Sequence, residues 1–465
     1  MAGLLVSFLE DPVNRHESRC WYCRTLERLG APTAEAQAAR VAFLAVAGLL
    51  LKHVNGIHQD RESLAILDDA EALLDRLSTW RAGTDRRRHY AICNIELAGR
   101  TGSPAAMQHH SPSPLGTLST TDLVFAPPDL PLPLLADTLV REYGIVGTFK
   151  RLSGERDLNL RVRSDTGRDV LLKVTGPTED PALIDFQIAA LTHLARRDPD
   201  LPIPQMIPTL SGALTVQVVH KGVALILRLL TYVPGTPLNL AGRVNDRVAL
   251  SLGRLLGRMN SAFVGFSHPA ARHFMPWNTL NGLLESRRMT ESYLPPHLRT
   301  ACAPVIDRLA SDSLPKMRDM PQSVIHYDAH SGNILIARDD PDAVCGLIDF
   351  GDMISGPILQ DLATPLASLI EHGAAPVPIS IALLEGFAQA YPVPVDQLPY
   401  LHDAILARLI LTVELLTFRV RHDLSDAEAL AKTELPRSIR ALERQLAAAP
   451  HEFTRRIMDA ARQLE

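Results

Sequence analysis

The stretch that decides the fold of this chain runs from residue 324 to residue 352. It reads VIHYDAHSGNILI over residues 324–336 and, after a short gap, GLIDFGD over residues 346–352. Apolar residues flank both polar clusters, and the Asp-Asp-Pro-Asp run at 339–342 is typical of a turn. This order predicts strand, polar loop, strand, turn, strand and a second polar loop, so two polar loops are directed to one place.

The polar residues have the spacing of phosphoryl-transfer enzymes. Protein kinases carry a His-x-Asp loop with an asparagine five positions after the aspartate, and a later Asp-Phe-Gly that holds magnesium. Here Asp328 precedes Asn333 by five positions, and Asp349 opens an Asp-Phe-Gly. One carboxylate must accept the proton of the attacking hydroxyl, while a carboxylate and an amide oxygen suit magnesium. We therefore predict Asp328 as the catalytic base and Asn333 and Asp349 as Mg²⁺ ligands.

The same residues carry a resemblance to a known family. The pattern from His326 through Asp328 and His330 to Asn333, followed by residues 348–352, resembles the aminoglycoside phosphotransferase and choline kinase family. Within that family the chain looks most like the hydroxylysine kinase branch. The resemblance covers about residues 133–465.

The resemblance implies an α+β fold of the bilobal protein-kinase-like type. A small lobe at 134–235, an antiparallel sheet with one helix, would precede a mostly helical large lobe at 236–465. The implied reaction transfers the γ-phosphoryl group of ATP or GTP, with Mg²⁺, to a hydroxyl of a small-molecule amine or amino acid such as hydroxylysine.

Other acceptors and other roles stay open at this point. Aminoglycosides and choline or ethanolamine-type amines are alternative acceptors within the resembled family. A protein kinase fits less well, because Gly356-Pro357 follows the Asp-Phe-Gly almost at once and leaves no long activation loop. A ligand-sensing protein with a kinase-like domain is a further alternative.

The small lobe supplies the residues that the resemblance assigns to the nucleotide. Ser153 and Gly154 form a turn between two predicted strands, where backbone N–H groups can face phosphate. Lys173 lies late in an apolar strand that resembles the kinase strand whose lysine pairs with the α- and β-phosphates. The following helix lacks a glutamate at the expected place, so Gln187 or Asp185 is expected to partner Lys173.

The segment 228–235 resembles the family's hinge, where backbone groups would hydrogen-bond the nucleotide base. Leu229, Leu230 and Tyr232 are the candidates for the wall of the base pocket. A plain core strand that leads into a Pro-Gly turn is compatible with the same residues.

The resemblance also implies that the late helices build the acceptor pocket. Asp352, Asp403 and Glu414 are candidates by position alone for contacting a cationic amine, and an ordinary surface or ion-paired acid is the favoured role of each. Arg408 or Arg419 could meet a substrate carboxylate through a bidentate fork. One amine and one carboxylate beside a hydroxyl describe a hydroxylated amino acid, 5-hydroxylysine or a similar compound, rather than an aminoglycoside.

The sequence also predicts the positions of two residues near the catalytic stretch. Asp361, which opens the next helix, matches the place where the family has an aspartate that anchors the loop. Trp277 is expected in the core, with a wall of the substrate pocket as the alternative.

The first 133 residues lie outside the resemblance. Residues 1–100 are rich in Leu and Ala, lack proline between Thr33 and Ser103, and are predicted to form a helical N-terminal extension. Its helices resemble the regulatory half of small helical repressors, although no helix-turn-helix precedes them. A ligand-sensing or dimerising domain, with a possible homodimer, and a helical extension that packs on the kinase are both open. Residues 101–133 gather Pro, Ser and Gly and are predicted to be a linker.

Composition and apolar run length argue against two kinds of partner, nucleic acids and membranes. A net charge of −5 over 465 residues gives no electrostatic case for a nucleic-acid partner. The longest apolar run, residues 41–51, is shorter than the roughly 20 residues that span a bilayer, so no membrane partner is expected. The 5 cysteines, with one lone CxxC at Cys20 and Cys23, favour packing in a reducing, cytoplasmic setting.

Overall fold

The structure is a computed structural model that describes residues 127–154, 156–282, 293–424 and 427–464. The chain divides into two compact units, Met1–His109 and His110–Glu465, and every described residue belongs to the second. The predicted helical extension at 1–100 and most of the predicted linker therefore lie outside the described residues.

The small lobe is built around one antiparallel sheet. Helix α1 (Leu132–Tyr143) ends at Gly144, whose φ of 65° is the left-handed geometry that glycine adopts without strain. Strands β1 (Gly147–Arg151), β2 (Asp157–Ser164) and β3 (Asp169–Thr175) follow, then helix α2 (Pro181–Arg197). Strands β4 (Met206–Ile207), β5 (Val216–His220) and β6 (Val223–Thr231) complete a sheet of order β1-β2-β3-β6-β4, with β5 also paired to β6. The strands predicted from the sequence are confirmed.

The large lobe is mostly helical. Its short strands are β7 (Thr236–Pro237), β8 (Ser323–Ile325), β9 (Ile334–Ile336), β10 (Val344–Leu347) and β11 (Ile354–Gly356). Its helices are α3 (Leu238–Ala241), α4 (Asp246–Phe263), α5 (Thr279–Gly282), α6 (Pro296–Arg308), α7 (Leu314–Asp319), α8 (Ile358–Glu371), α9 (Pro376–Ala388), α10 (Leu401–Arg421), α11 (Ala427–Lys432), α12 (Glu434–Ala447) and α13 (Pro450–Ala461). Within the described ranges, no helix is both long and apolar enough to cross a membrane.

The two faces of the small-lobe sheet have opposite chemistry, because successive side chains of a strand point to opposite sides. The face toward α1 is apolar, and it buries these side chains: Leu158, Leu160, Val162, Val170, Leu172, Val174, Leu225, Leu227 and Leu229. Burying one such side chain contributes roughly 1.5–3 kcal/mol. The register places Asn159 opposite Lys173, and Lys173 opposite Arg228, so the other face, called the polar face below, has a polar centre, with Leu171 and Leu230 beside it.

Helix α2 belongs to the core of the large lobe. Its buried residues Phe186, Ala190, Leu191 and Leu194 join the cluster that also contains the apolar side of α4. One helix, α1, packs on the apolar face of the sheet, as predicted for this lobe. The second helix, α2, packs against α4 and takes no part in the apolar core of the sheet.

The catalytic stretch folds as the sequence predicts. Strand β8 leads into the loop 326–333, β9 and β10 pair antiparallel around the turn at 339–342, and Asp349 follows β10. Strand β11 then pairs with β8 and returns the chain beside the first loop. Both polar loops therefore lie side by side, opposite the polar face of the sheet.

Candidate active site

A cavity of about 740 Å³ lies between the polar face of the sheet and the large lobe. Volumes of this size are typical of pockets for small molecules. The sheet, the two polar loops and the late helices contribute its charged lining, which includes Lys173, Arg228, Asp328, Asp349, Glu371, Arg408, Arg419, Glu434 and Arg437.

Both carboxylate oxygens of Asp328 accept hydrogen bonds. The Asn333 Nδ2 atom donates to Asp328 Oδ2 at 2.8 Å and to the Asp328 carbonyl oxygen at 2.9 Å. The Arg408 Nη2 atom donates to Asp328 Oδ1 at 3.3 Å. These contacts fix the orientation of the carboxylate at the wall of the cavity. The two bonds of Asn333 use its amide nitrogen and not its amide oxygen.

The loop that carries Asp328 is tied to the start of α8. The Tyr327 backbone N–H donates to Asp361 Oδ1 at 3.0 Å, and Asn260 Nδ2 donates to Asp361 Oδ2 at 2.8 Å. Tyr327 has a φ of 64°, a conformation that a large side chain adopts only under such constraint. Burial raises the pKa of Asp361, and the hydrogen bonds offset only part of that rise. The predicted anchoring role of Asp361 is confirmed.

His326 joins the two polar loops. Its Nδ1 accepts the backbone N–H of Asp328 at 3.2 Å, so its Nε2 carries the proton and donates to the Ile348 carbonyl oxygen at 3.2 Å. Burial lowers the pKa of His326 to about 4, which keeps the ring neutral. The edge of the ring meets Phe350 with the centroids 4.6 Å apart.

Asp349 points across the cavity to the small lobe. Its φ of 63° turns the side chain back, so that Oδ1 accepts the Gly351 N–H at 3.4 Å. The same oxygen lies 3.9 Å from Lys173 Nζ. Burial alone would raise the pKa of Asp349, but Lys173 lowers it and the net shift is downward. Asp349 therefore presents an ionised carboxylate to the cavity.

Lys173 is partnered from its own sheet. Its Nζ lies 3.1 Å from Asp157 Oδ2, on the neighbouring strand β2. The expectation that Gln187 or Asp185 would fill this role is wrong. Helix α2 packs into the large lobe, and there the Asp185 carboxylate lies 3.2 Å from His268 Nε2. Gln187 lines the cavity.

The turn that contains Ser153 and Gly154 closes one end of the cavity. Asn159 Nδ2 donates to the Ser153 carbonyl oxygen at 3.2 Å and holds the turn against β2. A Cβ atom on Gly154 would lie 2.6 Å from the Asp157 carbonyl oxygen and 2.4 Å from Asn159 Nδ2. The close approach of this turn to β2 therefore requires glycine.

Two of the three residues predicted for the wall of the base pocket lie at the cavity, and one does not. Leu230 and Tyr232 line the cavity. Leu229 does not, because it is opposite Leu172 in the register and buries its side chain in the apolar core under α1. The prediction for Leu229 is therefore wrong.

The far end of the cavity carries both signs of charge. Arg408, Arg419 and Arg437 line it together with Glu371 and Glu434. Burial raises the pKa of Glu371 to about 7. Trp277 packs against the core, as expected, and it also lines the cavity.

His372 fixes one of these cations. Its Nε2 lies 3.0 Å from Arg437 Nη1 and 2.8 Å from Ser331 Oγ. Burial, with Arg437 nearby, lowers the pKa of His372 to about 4, so the neutral ring accepts from both donors. Arg437 on α12 is thereby linked to the loop of Asp328.

Two predicted amine contacts lie away from the cavity. Asp403 receives two hydrogen bonds from Arg308, at 2.6 and 3.2 Å, and another from Ser313. Although burial opposes it, His402, Arg308 and Ser313 together hold the pKa of Asp403 well below its usual range. Glu414 is buried on another side of α10, and desolvation raises its pKa to about 9. Neither residue lines the cavity, so the candidate amine contacts at Asp403 and Glu414 are wrong, whereas the favoured role of an ion-paired acid is confirmed for Asp403. Asp352 does line the cavity.

Asp352 connects the two lobes. Arg156, beside the Ser153 turn, donates to Asp352 Oδ1 at 3.1 Å. Burial raises the pKa of Asp352 to about 6 despite the neighbouring Arg156. This ion pair joins the small-lobe turn to the loop of Asp349.

Comparison with known proteins decides the family. A sequence model of the phosphotransferase enzyme family matches residues 148–401, which contain both polar loops and most of the cavity lining. The chain belongs to this family. It is a phosphotransferase with an alcohol group as acceptor, and it acts on a small molecule.

Individual relatives agree with that assignment. The chain is 23% identical over 351 residues to a hydroxylysine kinase of Danio rerio, with 72% of this chain and 97% of the relative covered. It is 28% identical over 248 residues to a homoserine kinase of Pseudomonas aeruginosa, with 51% and 70% covered. The predicted family resemblance is confirmed.

Two solved structures of other kinases share the fold of this phosphotransferase. Amicoumacin kinase, solved in complex with AMP-PNP and Ca²⁺, matches with a TM-score of 0.52 at 17% identity, over 69% of this chain and 96% of that one. A microcompartment-associated aminopropanol kinase matches with a TM-score of 0.51 at 16% identity, over 71% and 99%. The predicted kinase-like α+β fold is confirmed for the described residues.

A second sequence model covers the opposite end of the phosphotransferase. The tetracyclin repressor-like C-terminal domain matches residues 1–81. This similarity agrees with the resemblance to helical repressors, and it concerns residues outside the described ranges.

Proposed function

We propose that this phosphotransferase transfers the γ-phosphoryl group of ATP or GTP to the side-chain hydroxyl of a hydroxylated amino acid, 5-hydroxylysine or a similar compound. The observation that carries the proposal is the mixed charge of the cavity beyond Asp328. Carboxylates and guanidinium groups converge there, next to the carboxylate that would receive the hydroxyl proton. An acceptor that carries one or two ammonium groups and one carboxylate matches both signs.

The nucleotide would bind between the sheet and the loop of Asp349. Lys173 would contact its phosphates, the turn at Ser153 and Gly154 would cover them, and Leu230 and Tyr232 would flank the base. Lys173 and Leu230 lie on paired strands, so their positions at this end depend on strand register. The solved amicoumacin kinase contains a nucleotide analogue and a divalent cation, which supports a nucleotide donor in this fold.

The residues present fit a magnesium ion. Asp349 offers an ionised carboxylate, and Asn333 offers an amide oxygen that its bonds to Asp328 do not use. No group of three or more His, Cys, Asp or Glu ligands occurs in the ranges that the structure describes. Magnesium does not need one, because it takes its remaining ligands from phosphates and water. When bound, it would neutralise charge that develops on the phosphates.

Asp328 would orient the acceptor hydroxyl and take its proton. Arg408 holds the carboxylate in place, so it is not expected to meet the substrate carboxylate as the sequence suggested. Arg437 and Arg419 are the remaining guanidinium groups of this end, and we assign the substrate carboxylate to them. Glu371 and Asp352 are the carboxylates that we assign to the ammonium.

The relatives support the same substrate class. Their names, hydroxylysine kinase and homoserine kinase, denote two amino acids that each carry a side-chain hydroxyl, an ammonium and a carboxylate. A polycationic aminoglycoside would meet Arg408, Arg419 and Arg437 at the same end of the cavity, which opposes its binding.

A nucleotide-consumption screen tests this proposal. The purified enzyme would receive ATP or GTP with Mg²⁺ and one acceptor from each class: hydroxylated amino acids, amino alcohols, choline-type amines and aminoglycosides. We expect the highest kcat/KM with a hydroxylated amino acid. A clearly higher value for an aminoglycoside or for an amino alcohol without a carboxylate would overturn the assignment of Arg437 and Arg419.

For the N-terminal residues we propose a helical domain of about residues 1–100 that binds an effector or forms a homodimer, joined by a linker at 101–133. The similarity of residues 1–81 to a repressor regulatory domain supports it. Sedimentation of the full chain at several concentrations tests dimer formation, and a single monomeric species at all of them would exclude the homodimer.

A further inference from the structure

Three strands of the small-lobe sheet bring three polar side chains together around Asp157. Its Oδ2 lies 3.1 Å from Lys173 Nζ and accepts from Arg228 Nη2 at 3.3 Å. Its Oδ1 accepts from Thr175 Oγ1 at 2.7 Å. Burial opposes ionisation of Asp157, yet Lys173 and Arg228 bring its net pKa below the usual value. The carboxylate is thus charged and held from three sides.

The strand register explains this cluster. Asp157 is opposite Thr175, so Lys173 is its diagonal neighbour on the same face of the sheet. Lys173 is directly opposite Arg228 on the other side. Two cations at directly opposed positions repel each other. Asp157 lies within reach of both and offsets that repulsion, which lets Lys173 keep one place at the cavity wall.

The other acidic residues considered as partners of Lys173 do not hold its ammonium in the same way. Asp349 is farther, at 3.9 Å, and it belongs to the other lobe. Asp185, on α2, lies beside His268. Glu179 lines the cavity before α2, and burial raises its pKa, which disfavours its charged form.

We infer that Asp157 is the positioning residue for Lys173, and that a strand supplies the carboxylate that kinases of this type are expected to take from a helix. The inference rests on the proposed role of Lys173 in binding phosphate. A lysine ammonium is a compact charge on a flexible stem, so it needs a fixed partner to define its place. Asp157 also competes with the phosphates for Lys173, so its effect falls on turnover rather than on nucleotide affinity.

The test compares Asp157→Asn in two backgrounds, the natural enzyme and Lys173→Met. In the natural background we expect kcat to fall about 10- to 100-fold, the usual effect of a misplaced catalytic contact, with the nucleotide KM changed by less than about threefold. In the Lys173→Met background the same substitution should change kcat by less than about threefold, since its target is gone.

A matched control comes from the same sheet. Asp169 on β3 forms an ion pair with Arg161 of β2 and does not line the cavity. Asp169→Asn should leave kcat and both KM values within about twofold. Asp157→Glu, which keeps the charge, should lose less activity than Asp157→Asn, and it serves as the test variant if the asparagine variant does not fold.

The outcomes distinguish the inferred role of Asp157 from the proposed role of Lys173. A fall in kcat that persists unchanged in the Lys173→Met background would make Asp157 a merely structural residue and would overturn the inference. An unchanged kcat for Asp157→Asn in the natural background would do the same. If Lys173→Met by itself keeps full kcat and nucleotide KM, the proposed role of Lys173 has failed instead.

Discussion

The nucleotide end and the acceptor end of the cavity are built in different ways. At the nucleotide end, Lys173, Asp157 and Arg228 sit on adjacent strands whose register fixes their distances. At the acceptor end, Glu371, Arg408 and Arg437 come from α8, α10 and α12, so the packing of separate helices brings them together. Hydrogen bonds then link Arg408 and Arg437 to the loop of Asp328. Asp328 and Asp349 lie between the two ends, on adjoining loops.

The two ends also differ in the ligands that we assign to them. We assign the nucleotide end to a donor that any kinase of the family shares, and a rigid sheet suits a fixed ligand. The acceptor end must distinguish one small molecule from another. Side chains at the ends and faces of separate helices can be exchanged there without disturbing a strand ladder. Substitutions at the two ends should therefore affect different kinetic constants.

The largest effect is expected where the two ends meet. Asp349→Ala removes an ionised carboxylate that we assign to magnesium, so activity should fall below detection and binding of the Mg²⁺-nucleotide should weaken. Isothermal titration with Mg²⁺-nucleotide checks the second part. The control is Asp339→Ala, an exposed acid in the turn between β9 and β10. A variant at Asp349 with unchanged magnesium dependence would place the metal elsewhere.

Asp328→Asn should have the next largest effect. Loss of a positioned base lowers turnover by about 100- to 10,000-fold. Nucleotide affinity should stay close to normal, because Asp328 faces the acceptor. Steady-state kcat and equilibrium nucleotide binding are the two measurements. A purified variant with a near-normal rate would end the assignment of Asp328 as base.

A smaller and more selective effect is expected at the acceptor end. Arg437→Gln should raise the KM of the amino-acid acceptor about tenfold, as for loss of one charge-assisted hydrogen bond, and leave the nucleotide KM unchanged. Arg440→Gln, an exposed position on the same helix, is the matched control. Equal changes in both KM values would show that the two ends are not separable in this way.

The smallest expected effect is a change in how the stability of the folded protein depends on pH. The pKa of Asp352 is raised to about 6 in the folded protein, above the ordinary 3.8. The stability linked to its protonated form is therefore present below pH 3.8 and is lost as pH rises through 6. Thermal unfolding of Asp352→Asn and the natural protein should diverge between pH 4 and 7, in favour of the variant. A constant difference over that range would contradict the raised pKa.

The sequence is most informative about those site residues that lie close together along the chain. Asp328, Asn333 and Asp349 lie in one stretch with fixed spacing, so their convergence follows from three short strands. Leu229 was misplaced because alternation along a strand makes its neighbours, and not Leu229, face the cavity. The partner of Lys173 was sought on α2, although pairing of β2 with β3 would have placed Asp157 beside Lys173.

Helical periodicity could have improved the predictions for α10. At about 100° per residue, Arg419 lies only about 20° from Arg408 around the helix, and both line the cavity. Asp403 and Glu414 are about 140° and about 120° away from Arg408, respectively, and neither lines it. Glu371 and Arg437 had no comparable signal, because the packing of α8 beside α12 is not visible in the chain.

The packing of α2 has a practical consequence for anyone who divides this protein into fragments. A piece that ends at residue 235 would keep the whole sheet and α1, but it would leave Phe186, Ala190, Leu191 and Leu194 without the α4 surface that covers them. An apolar stripe of that kind promotes association in water. A usable fragment of this lobe would have to extend through Phe263 or carry polar substitutions along α2.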